Sequence, residues 1–314
     1  MAKNRSKNKD TLKMKRILKN NNLVLVIGIL LILSGLYGIM FNQGDTWSVT
    51  EDGLLSYPER DDIQYSVIDV DDSNSNYTVS TIEYRGRSRT VPSLLTIPRT
   101  TTDSQIPAIV VLPGAGVTKE DEHGLSVILA DMGYASIIID QRDLGAIDLE
   151  SDVEMFKTGV EPTQYLMIYD ALKASDVLGV QPEIDASKIA MLGSSNGGRP
   201  AIIATAIDDS ISGVVAISTS GYDSSAIDPA QVKDKLAYEF FRSIDPDNYL
   251  AEISPRPFVM LNSINDSIIP YDAAQITFEK AEDPKSFTAI DSTTHGYTGL
   301  MHSHLEEGLE LIFE

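Results

Sequence analysis

Residues 188–208 read KIAMLGSSNGGRPAIIATAID. The apolar run that ends in Gly193 has the length of a buried strand, and the small residues that follow make a sharp turn. The alanine- and isoleucine-rich continuation has the character of a helix. Ser195 stands at the tip of this strand, turn and helix, inside the pattern Gly193-x-Ser195-x-Gly197. In that pattern the glycines let two backbones pass closely, while the serine is held in a tight, strained turn with its hydroxyl exposed above a sheet. Ser194 fills the first variable position of the pattern and is not the tip. Pro200 falls early in the helix, where its missing N–H costs little only within the first turn, so a late start or a bend is expected.

The chain around this turn has 314 residues, room for one large domain and some accessory sequence. A net charge of -21 argues against nucleic-acid partners and against a domain lying flat on anionic lipid. The charge is unevenly placed. Residues 1–22 carry eight Lys or Arg and one acid, Asp10, so the remainder is near -28, with 17 basic and 45 acidic residues. The absence of cysteine excludes disulfides, thiolate nucleophiles and cysteine metal sites.

Leu23 to Phe41 is nineteen residues without a charge, enough as a helix to cross a hydrocarbon core of about 30 Å. It reads as a transmembrane helix rather than a cleaved signal peptide, because the run exceeds a signal core and no small-x-small site precedes Asn42. Residues 1–22 then form a basic cytoplasmic tail. The lack of Lys or Arg between Lys19 and Arg60 places the domain on the outer side of the cell membrane by the positive-inside rule. Tyr37, Phe41 and Trp47 suit an outer-interface belt, and Trp47 suits equally the first packed residue of the domain. Residues 42–75 are an acidic stalk or an opening strand. From residue 76 to 314 the pattern is that of a folded domain. TVSTIEY, the turn RGRSR and TVPSLLTIP read as a hairpin. Short apolar runs follow at 107–113, 134–140, 188–193, 212–218, 257–263 and 286–290, separated by helical stretches, as expected of parallel strands covered on both faces.

In chain order these segments resemble the α/β-hydrolase family, closest to its dienelactone-hydrolase and prolyl-oligopeptidase-like esterases. The resemblance implies a mostly parallel central sheet with helices on both faces and a small cap insertion. After the third strand of the family a His-Gly pair usually precedes an oxyanion donor; here the residues are Pro113-Gly114-Ala115-Gly116. The implied oxyanion hole is the backbone N–H of Ala115 with that of Asn196. Asp140-Gln141-Arg142-Asp143 resembles the family's Asp-x-Arg-Gly loop, and Arg142 is expected to pair with acids and brace it. A serine hydroxyl needs a base, and the base an orienting acid, in the order Ser, acid, His. Asp266, 71 residues after Ser195, and His295, 29 residues further on, follow successive strands in that order. The expected catalytic residues are therefore Ser195, Asp266 and His295, with no cofactor and no metal.

Asp223, after the sixth strand, is the competing acid. His123, His302 and His304 are expected to face solvent, and His302-x-His304 lacks a third ligand. Residues 221–255 form a long insertion read as a cap. Its Tyr238, Phe240 and Phe241 suit either an acyl pocket or packing against the domain. Three functions fit: a membrane-anchored serine esterase acting through an acyl-enzyme, a peptidase or aminoacyl-amide hydrolase, and an inactive binding module. The partners expected are a small ester or amide and the membrane.

Overall fold

The computed structural model describes residues 46–99 and 104–314. The basic tail, the apolar run 23–41 with Tyr37 and Phe41, and residues 42–45 lie outside the described residues. Among the described residues no helix is long and apolar enough to cross a membrane. The folded unit runs from Trp47 to Glu314.

It opens with a two-stranded antiparallel ribbon, β1 (Ser48–Val49) and β2 (Leu55–Ser56). Three antiparallel strands follow, β3 (Tyr65–Asp71), β4 (Tyr77–Arg85) and β5 (Thr90–Pro98). The remaining strands are β6 (Ile106–Leu112), β7 (Ala135–Ile139), β8 (Ile184–Ser194), β9 (Val214–Ile217), β10 (Phe258–Ser263) and β11 (Lys285–Ile290). All pair in parallel, except that β7 meets β5 antiparallel. One nine-stranded sheet results, in the order β11-β10-β9-β8-β6-β7-β5-β4-β3.

Helices connect the parallel strands, α1 (Lys119–Asp131), α2 (Leu149–Lys157), α3 (Thr163–Gly179), α4 (Gly198–Ile207), α5 (Lys235–Ser243), α6 (Leu250–Ile253) and α7 (Tyr271–Glu279), and α8 (His302–Phe313) follows the last strand. The all-apolar character of the central strands has a direct cause, since each buries both faces. In β6, Ile109 and Val111 pack with Leu125 and Leu129 of α1 and Leu305 and Leu309 of α8. Val110 and Leu112 turn to the opposite core, with Ile168 and Leu172 of α3 and Ile202 of α4. The strand ends are thereby fixed, and with them the loops at the carboxyl edge.

Residues 42–75 had two readings, stalk or strand. Tyr65–Asp71 pairs with β4 along the sheet edge, and the Trp47 ring packs tilted 5.6 Å from Phe156 and edge-on 5.1 Å from Tyr165. Pro200 is the third residue of α4, inside its first turn, and a 3-10 turn over Ser195–Gly197 leads into the helix. Residues 221–255 fold as short turns with α5 and α6. Phe240 is fully buried there, 5.7 Å from Phe156 and 5.9 Å from Tyr165, so its ring belongs to the core.

Candidate active site

The turn after β8 takes its shape from contact with β6. A β-carbon at Gly193 would stand 2.3 Å from the Gly197 carbonyl oxygen, and one at Gly197 would stand 2.1 Å from the Leu112 oxygen. Only glycine fits such approaches. Between them Ser195 adopts φ +52°, a left-handed conformation costing a non-glycine residue about 1 to 3 kcal/mol. The surrounding strand and helix hold that strain and aim the hydroxyl into a cleft of about 440 Å³.

His295 reaches the same point from the loop after β11. Its Nε2 lies 2.8 Å from Ser195 Oγ, and its Nδ1 lies 2.8 Å from Asp266 Oδ2. An ionised carboxylate only accepts, so Nδ1 carries the proton and Nε2 is left to accept from the serine hydroxyl. Asp266 stands in the turn after β10 with its side chain wholly shielded. Its Oδ1 accepts from the N–H groups of Ile268 (2.8 Å) and Ile269 (3.1 Å), which fixes the carboxylate plane. Burial pushes the Asp266 pKa up, but the bond from His295 and the two backbone donors outweigh it and hold the acid below its ordinary value. The loops carrying Asp266 and His295 are joined directly: Ile264 N–H donates to Ile290 O at 2.8 Å, and Asn265 N–H to Ser292 O at 3.1 Å.

The competing acid is placed elsewhere. Asp223 is 45% exposed and its carboxylate pairs with Lys280 at 2.6 Å. His123 is half-buried on α1, with Thr96 Oγ1 3.4 Å away, and burial lowers its pKa. His302 and His304 stand 3.4 Å and 3.3 Å from Tyr297 and Glu307. None of these three histidines reaches Ser195.

Segment 113–116 lies against Ser195, since a β-carbon at Gly114 would be 3.3 Å from Ser195 Cβ. Ala115 lines the cleft with Ser195, and Asn196 follows Ser195 in the buried turn. Val117, Leu125 and Ile128 supply the apolar part of the wall; Asp121, Glu122 and Tyr297 supply its polar part. Tyr238, Phe240 and Phe241 do not line this cleft. For Phe240 and Phe241 the acyl-pocket reading gives way to packing, because both rings join the core while α1 faces Ser195.

Arg142 braces its loop as expected, through a partner that sequence reasoning did not single out. It forks onto Asp170 of α3 at 2.9 and 3.1 Å. Gln141 and Gly145 of the same loop were also missed. The Asn196 side chain donates to the Gly145 carbonyl at 2.8 Å, and Gln141 Nε2 donates to the Pro113 carbonyl. The likeness to Asp-x-Arg-Gly was the one signal that pointed there.

The model of the acetyl xylan esterase (AXE1) family matches residues 51–248. The chain belongs to that family. Membership agrees with the α/β-hydrolase fold described above. Among solved structures, acetyl xylan esterase 1 from Thermoanaerobacterium sp. JW/SL YS485 superposes with a TM-score of 0.65 at 14% identity, covering 82% of this chain and 89% of that one. A glucuronoyl esterase from Solibacter usitatus gives 0.60 at 13%, covering 86% and 90%. At such identities the likeness speaks for the fold. YfhR, an uncharacterized protein of Escherichia coli O157:H7, is 25% identical over 136 residues, 43% of this chain and 47% of its own length. The chain spans about half the length of the curated relatives it matches.

Proposed function

We propose that this member of the acetyl xylan esterase family is a carboxylic ester hydrolase that forms an acyl-enzyme on Ser195 and takes short acyl groups. The observation that carries the reading is the unbroken line Ser195 Oγ, His295, Asp266, with both contacts at 2.8 Å, opening on the cleft. Ser195 Oγ attacks the ester carbonyl while His295 Nε2 takes its proton. The carbonyl electrons move to oxygen, where the N–H groups of Ala115 and Asn196 meet the charge; each such donor is worth about 3 kcal/mol. Collapse expels the alkoxide, which takes the proton back from His295 and leaves as the alcohol. Water then repeats the sequence and releases the acid. Asp266 stays ionised and stabilises the imidazolium.

Short acyl groups suit the modest volume and the mixed polar wall, and agree with the names of the family and of the Thermoanaerobacterium enzyme. The apolar run 23–41, with its basic flank, supports an N-terminal anchor that holds the domain outside the cell membrane. The test is hydrolysis of p-nitrophenyl acetate, butyrate and octanoate beside an aminoacyl anilide. The reading expects kcat/KM to be highest for acetate and a rapid first-turnover release of nitrophenol. Preference for the anilide would turn the assignment toward an amidase.

A further inference from the structure

We propose that residues 141–145 are a clamp that sets the position of both oxyanion donors, with the Gln141 and Asn196 carboxamides as positioning residues. The proposal rests on the acyl-enzyme reading above. One short loop reaches both donor-bearing segments. Gln141 Nε2 donates to the carbonyl of Pro113, two residues before Ala115. On the other side, the N–H of Gly116 donates to the Leu144 carbonyl at 2.7 Å. The Gly145 carbonyl accepts from Asn196 Nδ2 at 2.8 Å, which ties the second donor's residue to the same loop. Gly145 also touches the first donor: a β-carbon there would stand 3.3 Å from Ala115 Cα and 3.6 Å from its nitrogen.

The clamp is itself held in an unusual shape. Asp143 and Leu144 have φ of 48° and 51°, and two consecutive left-handed non-glycine residues persist only where their surroundings over-determine them. Those surroundings are visible. Arg142 forks onto buried Asp170 and donates to the Arg87 carbonyl at 2.6 Å, while Arg89 donates to the Asp140 carbonyl at 2.7 Å. Rigidity of this kind has a use at an oxyanion hole. Its donors must stand about 2.7 to 3.1 Å from an oxygen that exists only in the transition state, so displacing them lowers turnover without weakening substrate binding.

Gln141→Met keeps the buried volume and removes the bond to Pro113. We expect kcat for p-nitrophenyl acetate to fall by about tenfold or more with KM within about twofold of the parent. The Ki of a trifluoromethyl ketone, which forms a tetrahedral oxyanion on the serine, should rise by the same factor as kcat/KM falls. Turnover within twofold of the parent, or an unchanged Ki beside a reduced kcat, overturns the clamp and leaves the esterase reading standing. Asn196→Ala, which removes the bond to the Gly145 carbonyl and keeps the backbone N–H, is the second variant should Gln141→Met not fold, with the same expected split and the same overturning results. A parent protein inert to both ester and ketone overturns the clamp and the acyl-enzyme reading together.

Discussion

The loops after β9 and β10 leave neighbouring parallel strands, and each carries an aspartate. Asp266 is shielded, accepts two backbone N–H bonds on one oxygen and faces His295 with the other. Asp223 is nearly half exposed and its charge is balanced by Lys280. On the proposed mechanism that difference decides which aspartate can orient a base: a shielded carboxylate with both oxygens bonded has one orientation to offer a histidine, whereas a solvated ion pair contributes little beyond its surface.

The predictions test that contrast at decreasing strength. The largest effect belongs to the groups on the reacting side: Ser195→Ala and His295→Ala should each lower kcat by roughly 10⁴ to 10⁶, and the double variant by no more, because the pair acts as a unit. Steady-state kinetics on p-nitrophenyl acetate checks this, and additive losses would break the coupling. Next comes the comparison itself. Asp266→Asn should cost up to about 10⁴ in kcat through loss of the correct tautomer, whereas Asp223→Asn should stay within about twofold. Circular dichroism on both variants separates this from misfolding.

A third prediction concerns the insertion. Phe240→Ala removes a fully buried ring and should destabilise the fold by about 3 to 5 kcal/mol, with KM for short esters little changed because the ring does not line the cleft. Urea unfolding and Michaelis kinetics read the two effects apart. The smallest effect is on acid stability. Asp266 is held below its ordinary pKa, so around pH 4 the unfolded chain binds more protons at this position than the folded one. Its contribution is complete above the unfolded value of about 3.9 and is lost as pH falls through the lower folded value. Thermal midpoints between pH 6 and 3 should therefore drop more for the parent than for Asp266→Asn, and parallel curves would count against it.

Much of this architecture was legible because parallel strands buried on both faces leave unbroken apolar runs, such as 107–113 and 257–263, that few other elements produce. Ser195 was legible through Gly193 and Gly197, since steric exclusion of a β-carbon leaves a residue-type signature. Asp266 and His295 showed only through their order after successive strands; the bonds joining their loops run between main-chain atoms and write nothing in the side chains. The grip of residues 141–145 on Ala115 was hidden in part for the same reason: the Leu144 and Gly145 carbonyls would be present whatever side chains stood there, and only the Gln141 and Asn196 carboxamides leave a residue type behind. The direction of the Phe240 ring was ambiguous because an amphipathic helix has the same spacing whether it faces a core or a pocket.

Covalent labelling tests Ser195 as the nucleophile and Asp266 as the acid behind it in one experiment. With a fluorophosphonate and mass spectrometry of the digested protein, we predict a single adduct on the peptide containing Ser195, absent in Ser195→Ala, slowed by orders of magnitude in Asp266→Asn, and unchanged in rate in Asp223→Asn. Labelling that persists in Ser195→Ala, or that fails in Asp223→Asn while surviving in Asp266→Asn, would contradict it.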